Sequence, residues 1–183
     1  MKVINTHISG LKIIEPEVFG DDRGFFLETY SNAKYCKELG IDVQFVQDNH
    51  SRSAKGVLRG LHLQLKHPQG KLVRVVRGCV YDVAVDLRND SLTFGQWFGV
   101  ELSEENKRQF WIPPGFAHGF QVLSELADFE YKCTDYYHPE FERTIIWNDP
   151  SLAIKWPDGN KILSQKDLRG MSLQEYISFT LQL

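Results

Sequence analysis

The sequence predicts an all-β fold, a sandwich or barrel of short strands with few helices. Residues 72–87 alternate apolar and polar side chains on both sides of a break at Gly78, which is the pattern of two antiparallel strands joined by a turn. Turn-forming residues recur elsewhere, as at 89–91 and 113–115. Many short, evenly spaced strands are typical of a sandwich or barrel.

The remaining elements are predicted from the same local signals. Further strands are expected at residues 25–30, 45–50, 57–64, 94–102, 119–123, 129–134 and 144–147. One helix is predicted from Ala33 to Leu39, with Ser31 as its N-cap and Gly40 at its C-terminal end, as a surface connection. A turn near residue 157 leads into a C-terminal appendage, which we expect to cover one mouth of the barrel.

Length and charge limit the possible functions. A chain of 183 residues with 42% apolar content suits one domain over residues 1–183. The net charge is −3, from 21 basic and 24 acidic residues, so binding to nucleic acid or to a membrane is not expected. The three cysteines, Cys36, Cys79 and Cys133, are too few and too scattered for a disulfide framework, so a reducing, cytoplasmic location is expected. Neither a signal peptide nor a membrane span is predicted.

Nucleotide-cofactor motifs are missing from the sequence. There is no Gly-x-Gly-x-x-Gly between a strand and a helix and no phosphate-binding loop ending in Gly-Lys-Ser/Thr. Hydride, flavin and NTP-hydrolysing chemistry are therefore not expected, and a redox-neutral, phosphate-neutral reaction is favoured.

Two histidine motifs are the most informative features of the chain. They are LRGLHLQ at residues 58–64 and PPGFAHG at residues 113–119. On two strands of one small barrel, His62 and His118 would face the same cavity. A metal-binding cupin barrel usually has His-x-His and a nearby Glu there, whereas this chain has Gln64 and Lys71. Because the six histidines and three cysteines also lack tight ligand spacing, no metal site is predicted.

Further motifs occur in the same order as in one known family. They are RGFFLE at 23–28, QDNHS at 47–51, YKCT at 131–134, WNDP at 147–150 and SQKD at 164–167. With the two histidine motifs, they make nearly the whole chain resemble the dTDP-4-dehydrorhamnose 3,5-epimerase family. The resemblance implies a cupin-type double-stranded β-helix (jelly roll), a homodimer, and epimerisation of a dTDP-linked 4-keto-6-deoxysugar at C3 and C5 without metal or organic cofactor.

Four residues are candidates for the chemistry. A strand histidine suits proton abstraction near neutral pH, although His62 alone would more often be a core residue. The resemblance implies that His62 is the base, Asp167 its orienting carboxylate, Tyr131 the acid on the opposite sugar face, and Lys71 the cation beside the enolate oxygen. Taken alone, Asp167 would be a surface carboxylate, Tyr131 a core residue and Lys71 an exposed lysine.

The strand of His62 raises a geometric problem. Arg59 lies three residues before His62, so regular alternation would direct it to the other face unless Gly60 introduces a bulge. On the neighbouring strands, Asp82 is a second carboxylate that could orient His118.

The resemblance also implies a set of substrate contacts. Two arginines would hold the pyrophosphate, and two aromatic rings would flank the thymine. Residues 23–28 would belong to an N-terminal strand exchanged with the partner subunit. The substrate-binding candidates are Arg23, Phe26, Glu28, Gln47, Asp48, Asn49, Arg59, Lys71, His118, Tyr137, Glu142 and Lys166.

Three alternative functions follow from the same residues. A mono-epimerase or ketoisomerase would act on a related dTDP-sugar, although Tyr131 favours the full epimerase. A metal-dependent cupin oxygenase is opposed by Gln64 and Lys71. A non-catalytic sugar-binding jelly roll is opposed by the presence of a base, an orienting carboxylate and an acid.

Overall fold

The structure, a computed structural model, describes residues 1–182 as thirteen strands and three short α-helices. The strands are β1 (Lys2–Asn5), β2 (Lys12–Glu15), β3 (Val18–Asp21), β4 (Gly24–Leu27), β5 (Gln47–Ala54), β6 (Leu58–Gln64), β7 (Lys71–Arg77), β8 (Cys79–Asp86), β9 (Trp97–Ser103), β10 (Gln109–Ile112), β11 (Phe116–Val122), β12 (Leu126–Cys133) and β13 (Glu142–Thr144). The helices are α1 (Asn32–Leu39), α2 (Gln165–Leu168) and α3 (Leu173–Thr180).

The strands form two large antiparallel sheets and one separate hairpin. The first sheet has the order β1-β2-β10-β7-β12-β5, and the second has the order β13-β6-β11-β8-β9. Strands β3 and β4 pair only with each other. The arrangement confirms the predicted all-β class and the jelly roll. Strands β1, β2, β3 and β10 were not among the predicted ones.

The main core fills the space between the two sheets. Val73, Phe110 and Phe129 from the first sheet pack with Val80 and Phe120 from the second. The rings of Phe120 and Phe129 are stacked with centroids 4.2 Å apart, so contact between the sheets is direct. This apolar packing fixes the distance between the two walls of the barrel.

Helix α1 covers the outer face of the first sheet. It ends at Gly40, which has φ 65° and terminates the helix in the left-handed conformation, as predicted. Tyr35 and Leu39 are buried against Leu72 and Trp111. The prediction of a mere surface connection was wrong, because the apolar side of the helix belongs to a core cluster.

The C-terminal segment covers the outer face of the second sheet. Leu173 and Tyr176 of α3 pack against Leu61, Val83 and Ile145. The expectation that this appendage covers a mouth of the barrel was therefore wrong for α3. Within residues 1–182, no helix combines the length and the apolar character needed to cross a bilayer.

Candidate active site

The inner face of the first sheet is polar at one end of the barrel. Asn49 on β5 lies opposite Tyr131 on β12, and Cys133 lies between Gln47 on one neighbouring strand and Lys71 on the other. Alternation directs all five side chains to the same face, because residues two apart on a strand share a face. One wall of the site thus carries a cation, a phenol, a thiol and two amides.

The second sheet supplies the opposite wall. His62 on β6 and His118 on β11 are directly opposite each other in the strand register. The ring of His118 stacks with that of Phe129 on β12, with centroids 6.0 Å apart, so the inner faces of the two sheets meet at this position. Both predicted histidines therefore lie in one cavity.

His62 is held by a carboxylate from the C-terminal segment. Its Nε2 lies 2.6 Å from Oδ1 of Asp167, and the Ser164 hydroxyl donates to the other carboxylate oxygen at 2.7 Å. Burial works to raise the pKa of Asp167, but the hydrogen bonds from His62 and Ser164 outweigh it, and the pKa is lowered. An ionised Asp167 fixes the imidazole orientation and strengthens it as a base.

His118 forms a second, more deeply buried pair. Its Nε2 lies 3.0 and 2.9 Å from the two carboxylate oxygens of Asp82. Burial lowers the pKa of His118, although the neighbouring carboxylate acts in the opposite direction. The contact that the sequence suggested for Asp82 is present.

A bulge brings Arg59 and His62 to the same side of β6. The partners of His62 and Arg59 lie two positions apart on β11, whereas His62 and Arg59 lie three positions apart on β6, so β6 contains one extra residue. Gly60, at φ 128°, leaves no space for a side chain, since a Cβ would lie 2.5 Å from the Cα of Gly119. Arg59 donates from Nε to the hydroxyl of Ser53 at 3.1 Å.

Lys71 and Tyr131 lie together on the first wall. The Lys71 ammonium is 6.0 Å from the centroid of the Tyr131 ring. Burial raises the pKa of Tyr131 to about 12 and lowers that of Lys71, against the attraction of Cys133 and Glu142. Tyr131 therefore keeps its proton and can donate it.

A cluster of three side chains lies near the edge of the second sheet. Glu142 accepts hydrogen bonds from Tyr137 at 3.1 Å and from Lys166 at 2.8 Å. Burial works to raise the pKa of Glu142, but Lys166 and the charge of His62 lower it overall. The structure thus brings together three of the predicted substrate-binding residues, Tyr137, Glu142 and Lys166.

Comparison with known proteins identifies the family of the chain. A family model described as dTDP-4-dehydrorhamnose 3,5-epimerase matches residues 5–175. Proteins of that name are 58% identical in Pseudomonas aeruginosa (96% of this chain, 97% of the relative) and 56% identical in Escherichia coli K12 (99% of both). The chain belongs to the dTDP-4-dehydrorhamnose 3,5-epimerase family. It is therefore an isomerase.

A solved structure of a family member has the same fold. The 3,5-epimerase of Legionella pneumophila Philadelphia 1, in complex with dTDP-4-keto-L-rhamnose, is 62% identical with a TM-score of 0.93, covering 94% of this chain and 93% of the other. The implied cupin-type jelly roll is confirmed by this likeness.

Three candidates for the family's substrate contacts lie away from the cavity. Arg23 and Phe26 belong to the β3–β4 hairpin, where both side chains are exposed and Arg23 is paired with Asp21. Glu28 follows the hairpin and pairs with Lys34 at 3.2 Å. Within this chain, the structure does not bring them to His62.

The side chain of Asp48 points to the opposite face of β5 from those of Gln47 and Asn49. Gln47 and Asn49 face inward, and Gln47 Nε2 donates to Asn49 Oδ1 at 3.1 Å. The carboxylate of Asp48 is exposed on the other face and accepts from Lys132 at 2.9 Å. Adjacent residues of a strand point to opposite faces, so the side chains of Asp48 and Asn49 do not share one wall.

Sequence reasoning missed two residues of the site. Cys133 is fully buried between Gln47 and Lys71 of the neighbouring strands, and the amide Nδ2 of Asn49 is 3.5 Å from its sulfur. Ser164 is the N-cap of α2 and accepts from the Asp167 backbone N–H. A serine three residues before an aspartate was the available signal for Ser164. The signal for Cys133 was its position two residues after Tyr131, which places both side chains on the same face of the strand.

Proposed function

We propose that the chain converts dTDP-4-dehydro-6-deoxy-α-D-glucose to dTDP-4-dehydro-β-L-rhamnose by inverting C3 and C5. One observation carries the proposal: a histidine–aspartate pair and a protonated tyrosine stand on facing sheets of one cavity, with a lysine beside them. Inversion needs proton removal on one face of the sugar ring and proton delivery on the other.

His62 is the base in this proposal. Protons at C3 and C5 are acidic because each carbon is adjacent to the C4 ketone. The Asp167 carboxylate, 2.6 Å from Nε2, stabilises the imidazolium that forms after each abstraction. The Lys71 ammonium stabilises the enolate oxygen, and the lowered pKa of Lys71 reflects the burial that makes such a charge effective.

Tyr131 returns the proton. It lies on β12 of the first sheet, whereas His62 lies on β6 of the second, so a sugar between the sheets has one group on each side. A raised pKa keeps the phenol protonated for donation to the carbanion, and the nearby Lys71 and Arg59 charges favour the phenolate that forms.

The dTDP group extends from the sugar along the inner wall. Arg59, exposed at this end of β6, fits a pyrophosphate oxygen because guanidinium binds phosphate through paired N–H groups. Gln47 and Asn49 offer amides to the thymidine, and Tyr137 offers an exposed ring. The Glu142–Lys166 pair and His118 lie at the end of the cavity that holds the sugar.

The functional unit is a homodimer in this proposal, with the β3–β4 hairpin inserted into the partner's site. Phe19, Phe25 and Phe26 are 56%, 61% and 69% exposed, an apolar surface that association would bury. Arg23 at the tip would then reach the pyrophosphate in the partner subunit, and Phe26 and Glu28 the nucleoside.

Neither a metal ion nor an organic cofactor takes part in the proposed reaction, because Lys71 supplies the positive charge beside the enolate. We place the enzyme in the cytoplasm. Cys36, Cys79 and Cys133 are all free thiols in the described chain, which suits a reducing compartment.

NMR of the product formed in deuterium oxide tests the reaction. Incubation with dTDP-4-dehydro-6-deoxyglucose should place deuterium at both C3 and C5 and give the L-configured sugar. Deuterium at one carbon only, with a single inversion, would instead make the chain a mono-epimerase. Treatment with a strong chelator should leave the rate unchanged.

Refolding of a mixture tests the shared site. Arg23→Ala and His62→Ala proteins are each impaired, but a mixed dimer has one site with both defects and one site with neither. Activity should return to well above the average of the parents. If mass spectrometry confirms heterodimers and activity does not return, Arg23 acts within its own chain.

A further inference from the structure

Two loops at the polar end of the barrel bring two histidines and an aspartate together outside the catalytic cavity. His67 lies between β6 and β7, and Asp135 and His138 follow β12. One ligand atom from each lies within 4.8 Å of the others, and His67 Nδ1 is 3.5 Å from Asp135 Oδ2. The sequence predicted no metal site, because spacing within one segment cannot reveal ligands about 70 residues apart.

We propose that His67, Asp135 and His138 bind one divalent transition-metal ion, with Zn²⁺ the best fit to the donors. Two imidazoles and a carboxylate are a zinc ligand set, and bonds of about 2.0–2.1 Å place tetrahedral ligand atoms about 3.4 Å apart. The observed separation of 3.5 Å between His67 and Asp135 already matches this spacing.

The backbone around the two histidines is held in place by one buried side chain. The amide of Gln64 donates to the carbonyl oxygen of His67 at 2.7 Å and accepts from the backbone N–H of His138 at 2.8 Å. Gln64 is 6% exposed, so both hydrogen bonds are shielded from water. This preorganisation reduces the entropy lost when an ion links the two loops.

The side chains need only a small rearrangement. The two imidazole rings are stacked with centroids 4.4 Å apart, so one ring must turn for both lone pairs to meet at the ion. The side chain of His67 is 52% exposed and that of His138 is 31% exposed, which leaves room for the turn. Glu140, 3.6 Å from His138 Nδ1, or a water completes the tetrahedron.

The ion would stabilise the loops at the rim of the catalytic cavity. Tyr137 is adjacent to His138, and its backbone N–H donates to Gln47 at 2.9 Å. Linking the two loops would therefore restrict the segment that carries Tyr137, while His62 and Lys71 keep their own contacts. The expected consequences are greater thermal stability with Zn²⁺ and a kcat that does not depend on it.

Calorimetric titration of tag-free protein with Zn²⁺ tests the site. The wild type should bind one ion per chain, and its thermal midpoint should rise with Zn²⁺ concentration. Either His67→Gln or His138→Gln should weaken binding at least about tenfold, since even changes outside the ligand set commonly cost that much. X-ray absorption of the complex should show nitrogen and oxygen neighbours.

His50→Ala is the matched control. The side chain of His50 is 53% exposed and pairs with Asp128, yet it lies on the outer face of β5 without a second histidine. This variant should bind Zn²⁺ as the wild type does. Equal affinity in the His67→Gln/His138→Gln double variant, or a wild type with no saturable binding, would overturn the proposal.

Discussion

Two histidine–aspartate pairs lie side by side in this barrel, and they differ mainly in exposure. The His62 side chain is 24% exposed and takes its carboxylate from a helix 105 residues away. The His118 side chain is 7% exposed, and its carboxylate belongs to the adjacent strand β8. The first pair can meet a substrate and pass a proton to water. The second has only a small part of the His118 ring exposed.

This difference assigns the two histidines to different tasks. A base that works twice in each turnover must exchange its proton, which requires access. A buried neutral imidazole, whose pKa burial lowers, donates its Nε2–H to Asp82 and can accept a hydrogen bond from a sugar hydroxyl at Nδ1 without becoming protonated. The same pair of residue types therefore gives a base at one position and a fixed contact at the other.

The largest effect is expected at His62. His62→Asn keeps a polar side chain beside Asp167 but removes the base, so kcat should fall at least about 10²-fold. Deuterium incorporation at C3 and C5 should disappear as well. His118→Asn should still exchange both protons, at a reduced rate. Exchange that persists in His62→Asn would reverse the two assignments.

Tyr131→Phe separates the two halves of the reaction. The ring and its packing remain while the proton donor is lost, so net epimerisation should slow by about 10²–10⁴-fold. Solvent exchange at the sugar should continue, because His62 and Asp167 are intact. NMR in deuterium oxide measures both rates, and their equal loss would remove Tyr131 from the role of acid.

The carboxylates should respond differently to the same substitution. Asp167→Asn removes the charge that supports the His62 imidazolium, and kcat should fall about 10–100-fold with little change in stability. Asp82→Asn disturbs a fully buried pair, so we expect an unfolding free energy lower by about 1–3 kcal/mol and a smaller change in kcat. Steady-state kinetics and urea titration distinguish the two outcomes.

The smallest expected effect is a pH dependence of stability from His118. Since burial lowers the folded-state pKa of His118, its neutral form favours folding fully above the unfolded pKa of about 6.5. This contribution is lost as pH falls toward the folded pKa, because the unfolded chain takes up the proton first. Urea titrations at pH 7.5 and pH 5.5 should show a smaller difference for His118→Gln than for the wild type. An identical difference would contradict the buried neutral assignment.

Local patterns predicted strands whose sequences alternate apolar and polar residues, as β7 and β8 do. Strand β10 was missed because it is short, with four residues that are all buried, so its sequence shows no alternation. Helix α3 was also missed, although Ser172 and Glu175 form a capping box at its start.

The site was less accessible to local reasoning than the fold. The contact between His62 and Asp167 joins distant segments, and only the family resemblance implied it. That resemblance also put Asp48 beside Asn49, although strand alternation separates their side chains. The placement of Arg23 depends on a second chain, so no pattern within one chain could locate it near His62.

The bulge at Gly60 makes the two histidine motifs depend on each other. A Cβ at Gly60 would lie 2.5 Å from the Cα of Gly119, and a Cβ at Gly119 would lie 2.6 Å from the carbonyl oxygen of Arg59. A side chain at either position would force β6 and β11 apart and disturb the register that places Arg59 and His62 on one face. Sequence libraries that vary these two strands should therefore keep both glycines, because a substitution in one motif would displace the functional residues of the other.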